Sequence, residues 1–362
     1  MIEAKSDPHP VIVIALSGGV DSSVAAARLQ AQGNKVIAVT LKLHSRGTAH
    51  ENASCGGSDG VSRARAAAAK LGIAHYELNC ETEFDQQILR PAWEEYGRGR
   101  TPSPCLWCNE RIKFGVLMAW ARQFGAGKLA TGHYAKISWS SGNPVLSRGE
   151  DPGKDQSYFL AGLTREQLAD TVFPLGDLRK RDVREIARGL DLETADARDS
   201  QDACLVGRDG QFAETLRRRF AAEAKRGVIT SDAGQPLGRH PGIHLFTVGQ
   251  RRGLGINTSG RCWVRAVDGV TGVVSVTLDE RKLHSSQLVA TGINWLGPAP
   301  LTGPRPCQVQ VRYRHTAAPA VIEPAGPDAI RATFDQPVRA ITPGQAAVFY
   351  DGTSVLGRGW IV

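Results

Sequence analysis

A glycine- and serine-rich run follows the first apolar segment of the chain. Apolar residues 11–16 lead into the run Ser17-Gly18-Gly19-Val20-Asp21-Ser22-Ser23, and a helical pattern comes next. Glycines let the backbone approach a phosphate, hydroxyls donate hydrogen bonds, and the positive N-terminal end of the following helix attracts an anion. Asp21 would repel that anion unless it held a magnesium ion that bridges to the phosphate. The run therefore predicts a phosphate-binding loop with Asp21 as a candidate Mg²⁺ ligand.

The sequence of the loop limits which nucleotide-binding motif it can represent. No Gly-Lys-Ser/Thr follows, as a Walker A loop requires, and the Gly-x-Gly-x-x-Gly of dinucleotide sites is missing. The pattern Ser-Gly-Gly-x-Asp-Ser resembles the PP-loop of ATP pyrophosphatases, which cleave ATP between the α and β phosphates and adenylate an oxygen of the substrate. This resemblance implies ATP and Mg²⁺. It implies nucleotide contacts from Ala15, Leu16, Ser17, Gly18, Gly19, Val20, Asp21 and Ser22.

Cysteines provide the second chemical signal. Seven are present, an odd number that argues against a disulfide framework and for metal or redox chemistry at some of them. Cys105 and Cys108 stand three residues apart, just before a helix predicted to begin near Glu110, and a helix N-terminus stabilises thiolate. A half zinc site, a redox pair and half of a cluster site all fit this pair. Cys204 is predicted to lie near the end of the same domain.

The predicted elements place these residues in an α/β fold. Short β-rich runs alternate with helical patterns from Val11 to about Leu163, which is typical of a parallel sheet with helices on both faces. The pattern of predicted elements then changes to a small segment with both helical and strand signals. Farther along, it changes to short strands separated by Pro and Gly. We predict a PP-loop domain over 1–205, a small central domain over 206–286 and a C-terminal β-barrel over 287–362.

Charge and hydropathy indicate the partner and the compartment. The formal net charge is +8, with basic clusters such as Arg179-Lys180-Arg181 and Arg251-Arg252, which favours a nucleic acid partner although single clusters often only face water. No apolar stretch of membrane-spanning length occurs. Residues 1–10 match neither a signal peptide nor a transit peptide. These features predict a soluble, cytoplasmic protein without a membrane partner.

The motifs, in their order along the chain, resemble those of one family. After the PP-loop come Thr-Pro-x-Pro-x-x-x-Cys-Asn at 101–109, Ala-Thr-Gly-His-Tyr at 130–134 and Lys-Asp-Gln-Ser-Tyr-Phe-Leu at 154–160. Ser-Gln-Asp-Ala-Cys at 200–204 and Val-Arg-Tyr-Arg-His at 311–315 follow. This order is similar to that of the bacterial tRNA-uridine 2-sulfurtransferases (tRNA-specific 2-thiouridylases), and the similarity covers almost the whole chain.

The resemblance implies 2-thiolation of the wobble uridine in a tRNA anticodon stem-loop, by adenylation of uridine O2 and then sulfur transfer. We expect the enzyme to be a monomer when free. Cys108 matches the first catalytic cysteine of the family, and Cys204 the second, which carries a persulfide delivered by a sulfur-relay protein. Leu41 and Gly132 match nucleotide-binding positions. Expected tRNA contacts are His133, Lys154, Asp155, Gln156, Arg312, Tyr313 and Gln345.

One departure from the family pattern affects the sulfur step. The family commonly has Asn-Pro-Asp before the first cysteine, and this chain has Ser103-Pro104-Cys105. Cys105, Cys108 and Cys204 could then hold a [4Fe-4S] cluster whose fourth iron binds a sulfide. The alternative is a persulfide on Cys204, with a disulfide to Cys108 closing the cycle. Rival functions are a PP-loop amide synthetase, which needs no thiol, and a tRNA-binding protein without catalysis.

Overall fold

The computed structural model describes residues 11–44, 58–196, 212–258 and 260–362. These residues form two compact units, which comprise Met1–Asp85 with Cys105–Arg208, and Gln86–Pro104 with Asp209–Val362. Each unit contains a hydrophobic core of its own. No helix in the described part of the chain is long and apolar enough to cross a membrane.

The strands of the described residues fall into three groups. The first unit contains β1 Ile12–Ala15, β2 Val36–Lys42, β3 Ala74–Asn79, β4 Lys128–Thr131, β5 Ala135–Ser140, β6 Asn143–Arg148 and β7 Thr171–Val172. A mixed sheet in the second unit contains β8 Gly227–Thr230, β9 Pro236–His240, β10 Trp263–Val267 and β11 Val274–Thr277. The remaining strands of the second unit are β12 His284–Trp295, β13 Arg305–Gln310, β14 Ala318–Gly326, β15 Ala329–Arg339, β16 Ala346–Asp351 and β17 Ser354–Ile361.

Helices follow most strands of the first unit. In chain order the α-helices are α1 Val20–Ala31, α2 Ser58–Leu71, α3 Glu81–Phe84, α4 Arg90–Gly97, α5 Pro104–Trp107, α6 Leu117–Gln123, α7 Ser157–Leu160, α8 Arg165–Ala169, α9 Lys180–Gly189 and α10 Phe212–Arg219. Among the described residues, two segments are π-helical, Asp85–Leu89 and Cys108–Val116. Short 3₁₀ turns lie at Ile243–Leu245 and Glu280–Leu283.

A five-stranded parallel sheet forms the centre of the first unit. Its strand order is β3-β2-β1-β4-β7, and β1 pairs in parallel with both β2 and β4. Ile12 and Ile14 pack into a core with α1, α2 and α9, while Val13 points to the opposite face and is also fully buried. Both faces are therefore covered, which explains why β1 is continuously apolar. The predicted parallel α/β class is confirmed.

The second unit contains a small mixed sheet and a closed barrel. The mixed sheet has the order β10-β11-β8-β9 and a core that includes Ile229, Val264 and Val276. In the barrel, β12-β15-β14-β13-β16-β17 are antiparallel neighbours. The twelve-residue β12 pairs with β15 and, mainly through its later residues, with β17. This second pairing closes the ring and removes its edges, so the predicted small mixed domain and C-terminal barrel are confirmed.

One predicted helix start is corrected. The sequence suggested a helix from near Glu110, whereas α5 begins at Pro104 and the chain stays helical through the π-segment to the end of α6. Proline suits the first helical position because its fixed φ matches a helix and its missing N–H would have no partner there. Cys105 therefore lies in the first turn and Cys108 one turn later.

Candidate nucleotide and sulfur-transfer site

The loop between β1 and α1 has the conformation of an anion site. Gly18 has φ +76°, and a Cβ there would lie 2.3 Å from the carbonyl oxygen of Gly60. The Ser22 hydroxyl accepts from Ser17 N at 3.2 Å and donates to Gly19 O at 3.1 Å, so the turn is held by its own side chains. No side chain caps α1, whose first amides lack helical acceptors and suit a bound anion.

Asp21 is held by two donors from distant segments. The Lys180 ammonium and the Tyr134 hydroxyl each donate to Asp21 Oδ1 at 2.6 Å. Lys180 is buried at the first position of α9, and its backbone N–H donates to Asp151 Oδ2 at 2.9 Å. The carboxylate predicted as a Mg²⁺ ligand is thus part of an ion pair. The sequence reasoning did not select Lys180 or Tyr134, although Lys180 lay in a basic run and Tyr134 in a quoted motif.

Gly132 directly follows β4, and Leu41 lies on β2. A Cβ on Gly132 would lie 2.8 Å from Ser22 N, so only glycine allows this backbone to pack against the start of α1. Leu41 is largely buried near the carboxyl end of β2, the edge at which open parallel sheets bind ligands. The neighbouring Thr40 donates to Leu16 O at 2.7 Å. The structure thus brings Gly132 to the predicted loop and places Leu41 on the adjacent strand.

His133, two residues after β4, is buried. Its Nδ1 lies 2.7 Å from Thr131 Oγ1, and its ring packs near Phe114 and Phe173. Burial, and secondarily the charge of Lys113, lowers the pKa of His133 well below its ordinary value. The ring is therefore neutral at physiological pH and exposes little surface. The tRNA contact expected of His133 stays a prediction.

The predicted RNA segment 154–156 is tied to Tyr134. The backbone N–H of Tyr134 donates to Gln156 Oε1 at 3.0 Å, and the backbone N–H of Gln156 donates to Tyr134 O at 2.9 Å. Asp155 accepts from Arg148 Nη1 at 2.8 Å and from the hydroxyl of Ser157 at 2.9 Å. Asp155 and Gln156 therefore hold this segment in place, and a chain of contacts runs from Gln156 through Tyr134 to Asp21.

The two described cysteines of the proposed sulfur site differ in exposure. Cys105 is half-buried, whereas Cys108 is 8% exposed at the start of the π-helix. The helix dipole acts mainly within the first turn, so it favours the thiolate of Cys105 more than that of Cys108. Asn109, next to Cys108, donates from Nδ2 to Phe159 O at 3.1 Å and links this helix to segment 154–160.

Cys204 and Cys55 lie outside the described residues. Among the residues that the structure does describe, no group of three His, Cys, Asp or Glu side chains is arranged to hold a metal ion. Cys105 and Cys108 therefore do not make a metal-ligand set by themselves. The proposed [4Fe-4S] site depends on Cys204 and stays a prediction.

Three predicted tRNA contacts lie in the second unit. Arg312 and Tyr313 follow β13 in a turn, and Arg314 has φ +62°. Arg312 donates from Nη1 to Arg339 O at 3.1 Å. Gln345 donates from Nε2 to the carbonyl oxygens of Thr101 and Pro102, at 2.9 and 3.0 Å. Gln345 thus fastens the segment that precedes the cysteines in the chain.

Three family models together match most of the chain. The tRNA methyl transferase HUP domain matches residues 10–208, the tRNA methyl transferase PRC-barrel domain matches 214–277, and the aminomethyltransferase beta-barrel domain matches 285–361. With the loop at the edge of the parallel sheet, these matches define a nucleotide-binding HUP-domain protein that carries two β modules.

Relatives of similar length identify the family. A tRNA-specific 2-thiouridylase MnmA from Syntrophotalea carbinolica is 44% identical over 353 residues, 97% of this chain and 98% of that protein. Proteins with the same name from Acidobacterium capsulatum and Geotalea uraniireducens are each 41% identical, over 97% and 99% of this chain and 98% and 96% of theirs. The chain belongs to the family of tRNA-specific 2-thiouridylases, whose named members are sulfurtransferases that act on tRNA.

Proposed function

We propose that this enzyme uses ATP to replace O2 of the wobble uridine in tRNA with sulfur. The observation that carries the proposal is the hydrogen-bonded path from Gln156 through Tyr134 to Asp21. It joins a segment expected to contact RNA to the loop expected to hold ATP. An adenylating enzyme needs this proximity, because the uridine oxygen must reach the α-phosphate.

In the first step uridine O2 attacks the α-phosphorus of ATP, the bond to the β-phosphate breaks, and pyrophosphate leaves. ATP enters as its Mg²⁺ complex. The loop and the uncapped amides of α1 stabilise the charge that develops on the leaving pyrophosphate. The product is an O2-adenylated uridine, from which AMP is a good leaving group. The wobble base must leave its stack to reach this position.

In the second step a sulfur atom attacks C2 of the adenylated uridine and AMP departs. In the persulfide form of the proposal, the outer sulfur of a Cys204 persulfide makes this attack. The Cys108 thiolate then attacks the Cys204 sulfur, which breaks the sulfur–sulfur bond to the uridine. The products are 2-thiouridine and a Cys108–Cys204 disulfide, which an external thiol must reduce before the next cycle.

The sulfur source has two proposed forms. A sulfur-relay protein would deliver the persulfide, whereas a [4Fe-4S] cluster on Cys105, Cys108 and Cys204 would use free sulfide. Iron and sulfide analysis of anaerobically prepared protein separates them. About four irons per chain, together with loss of sulfide-dependent thiolation in Cys105→Ala, would support the cluster. Iron-free protein that thiolates tRNA from a persulfide donor would support the two-cysteine route.

Replacement of Cys108 tests the proposed function. We expect Cys108→Ser to form AMP and pyrophosphate from ATP when tRNA is added, yet to give no thiouridine, since only sulfur transfer needs the thiol. Isotope-traced AMP and mercury-gel retardation of tRNA measure the two steps. Cys80→Ala is the matched control, because burial raises the pKa of Cys80 to about 11 and leaves it unreactive. Full thiolation by Cys108→Ser would show that sulfur transfer does not need the Cys108 thiol, and absence of tRNA-dependent AMP from the unaltered enzyme would favour a non-catalytic binder.

A further inference from the structure

The segment that precedes the cysteines belongs to the second unit. The chain enters that unit at Gln86 and leaves it after Pro104, which is also the first residue of α5. Cys105 comes next, and Cys108 lies one turn further along the same helix. Contacts that fix the end of segment 86–104 therefore also fix the start of the helix that carries both thiols.

Close glycine contacts hold this segment on the second unit. Gly99 has φ +75°, and a Cβ there would lie 2.6 Å from the carbonyl oxygen of Val267. Gly344, in the turn before β16, has φ +89°, and a Cβ there would lie 2.9 Å from the carbonyl oxygen of Thr101. The backbones thus pack too closely to admit a side chain at either glycine.

The end of the segment is bonded by one side chain, that of Gln345. Its Nε2 donates to Thr101 O at 2.9 Å and to Pro102 O at 3.0 Å. A side-chain amide nitrogen has two N–H donors, so these bonds use both. The backbone of Gln345 is itself fixed, because Ile361 N donates to Gln345 O at 2.9 Å. The amide group of Gln345 therefore serves the protein first, and it can meet RNA only through Oε1.

Thr101 is bonded to two different parts of the second unit. Its N–H donates to Pro343 O at 2.9 Å, in the turn that leads to Gln345. Its hydroxyl donates to Thr247 Oγ1 at 3.1 Å. The N–H of Thr247 donates in turn to Gln250 Oε1 at 2.9 Å, and an exposed pair of arginines follows Gln250. Thr101 is thus tied to both of these parts, each of which is expected to meet tRNA.

We infer that Gln345 is a positioning residue for the sulfur step, because it holds Thr101 and Pro102 and thereby sets the place of the thiols. This inference rests on the proposed function. Only two residues separate Pro102 from Cys105. A displacement of about 1 Å in a reacting group can slow a reaction about a hundredfold. Adenylation does not use the thiols, so its rate does not depend on this bond.

Gln345→Met tests the inference. Methionine keeps the length of the side chain and removes both donors. We expect thiouridine formation at saturating tRNA to slow about ten- to hundredfold, while pyrophosphate release, which reports adenylation, keeps its rate. Gln30→Met is the matched control, because Gln30 also donates from Nε2 to a backbone carbonyl, Leu71 O at 2.9 Å, at the surface of the first unit. It should leave both rates unchanged.

A second pair of variants moves Thr101 without altering the glutamine. In Gly344→Ala the new Cβ pushes against Thr101 O, and we expect the same separation of the two rates. Gly352→Ala is its control, since Gly352 has φ +58° and a Cβ there would meet no described atom within 4 Å. That variant carries similar backbone strain and should lose stability only.

Other outcomes would overturn the inference and leave the proposed function standing. A normal thiolation rate at saturating tRNA, with weaker tRNA binding, would make Gln345 an RNA contact alone. Equal losses in thiolation and pyrophosphate release would make its role merely structural.

The reactivity of Cys105 tests the positioning without turnover. This thiol is half-buried, and iodoacetamide should label it faster in Gln345→Met and Gly344→Ala than in the two control variants. Peptide mass analysis measures the labelling. If the unaltered enzyme forms no thiouridine, the proposed function falls, and these rates still judge the position of the helix. Equal labelling in all four variants would overturn the inference.

Discussion

Single residues in this enzyme gain their properties from partners that are distant in sequence. Asp21 is a repulsive charge in a phosphate loop until Lys180 and Tyr134, 159 and 113 positions away, neutralise it. His133, expected to contact tRNA, is buried with its ring near Phe114 and Phe173. In both cases the residue type was informative, but the groups that surround the side chain come from elsewhere in the fold.

The buried His133 predicts a pH-dependent stability. Its folded pKa lies well below the unfolded value of about 6.5, mainly because of burial, so the unfolded chain binds the proton more readily. The contribution of neutral His133 to the free energy of unfolding is fully present above the unfolded pKa. It is lost as the pH falls below that pKa, by up to about 1.4 kcal/mol per pH unit until the folded pKa is reached. His133→Asn should remove this contribution. Urea unfolding from pH 7 to pH 5 measures it.

The control for this experiment is His284→Asn, which alters an exposed histidine. Its unfolding free energy should fall with pH as steeply as that of the unaltered protein. The same steepness in His133→Asn would show that His133 does not titrate as proposed.

At the scale of elements, the helix that carries the cysteines is irregular. Nine residues from Cys108 to Val116 are π-helical, a geometry often found at functional sites. Gln167 on α8 donates from Nε2 to Glu110 O at 3.2 Å and to Phe114 O at 2.8 Å. Its Oε1 accepts from Thr164 N at 2.9 Å in a capping box. One side chain thus caps α8 and supports the π-helix.

Gln167→Glu should separate these two roles. Glutamate preserves the capping box but cannot donate to the π-helix carbonyls, which lose their partner and face a negative charge. We expect a loss of about 1–3 kcal/mol in stability, faster alkylation of the buried Cys108 and slower tRNA thiolation. Iodoacetamide labelling followed by peptide mass analysis measures the reactivity of Cys108.

Thr164→Ala provides the comparison, because it weakens the cap and keeps the Gln167 donor. It should cost about 1 kcal/mol while the labelling rate of Cys108 stays unchanged. Equal labelling in both variants would mean that Gln167 does not position Cys108.

At the scale of the whole molecule, the net charge bears most on the binding of a partner. The net charge of +8 is a property of all 362 residues and favours a polyanion. Arg251 and Arg252 are exposed in a glycine-rich loop of the second unit, whereas Arg122 is held by Glu166 and Asp170 at 2.9 and 2.7 Å. Basic residues that neutralise RNA phosphates release counterions, so tRNA affinity should fall with salt.

Replacing Arg251 and Arg252 by alanine should make the salt dependence of tRNA binding less steep. Each lost phosphate contact lowers the slope of log affinity against log salt by about 0.7–0.9, so a reduction of about 1.4–1.8 is expected. Filter binding between about 50 and 200 mM salt measures the slope. Arg122→Ala, which removes an already paired charge, should keep the original slope. An unchanged slope in the double variant would place the RNA elsewhere.

The sequence by itself determined the class of chemistry and the order of elements. The PP-loop is a contiguous run, and the apolar spacing within 180–189 agrees with α9, because helical periodicity and loop chemistry are local properties. The small mixed sheet and the terminal strands were indicated by the same local patterns of Gly, Pro and alternating apolar residues.

Only the tertiary structure decided which groups meet. The Lys180–Asp21–Tyr134 contacts, the support of the π-helix by Gln167 and the pairing of β12 with β17 join residues far apart in the chain. A basic run or a glutamine gives no sign in sequence of a partner more than fifty positions away. Local patterns specify how a segment folds, whereas the charge and hydrogen bonds of its side chains depend on the surfaces that pack against it.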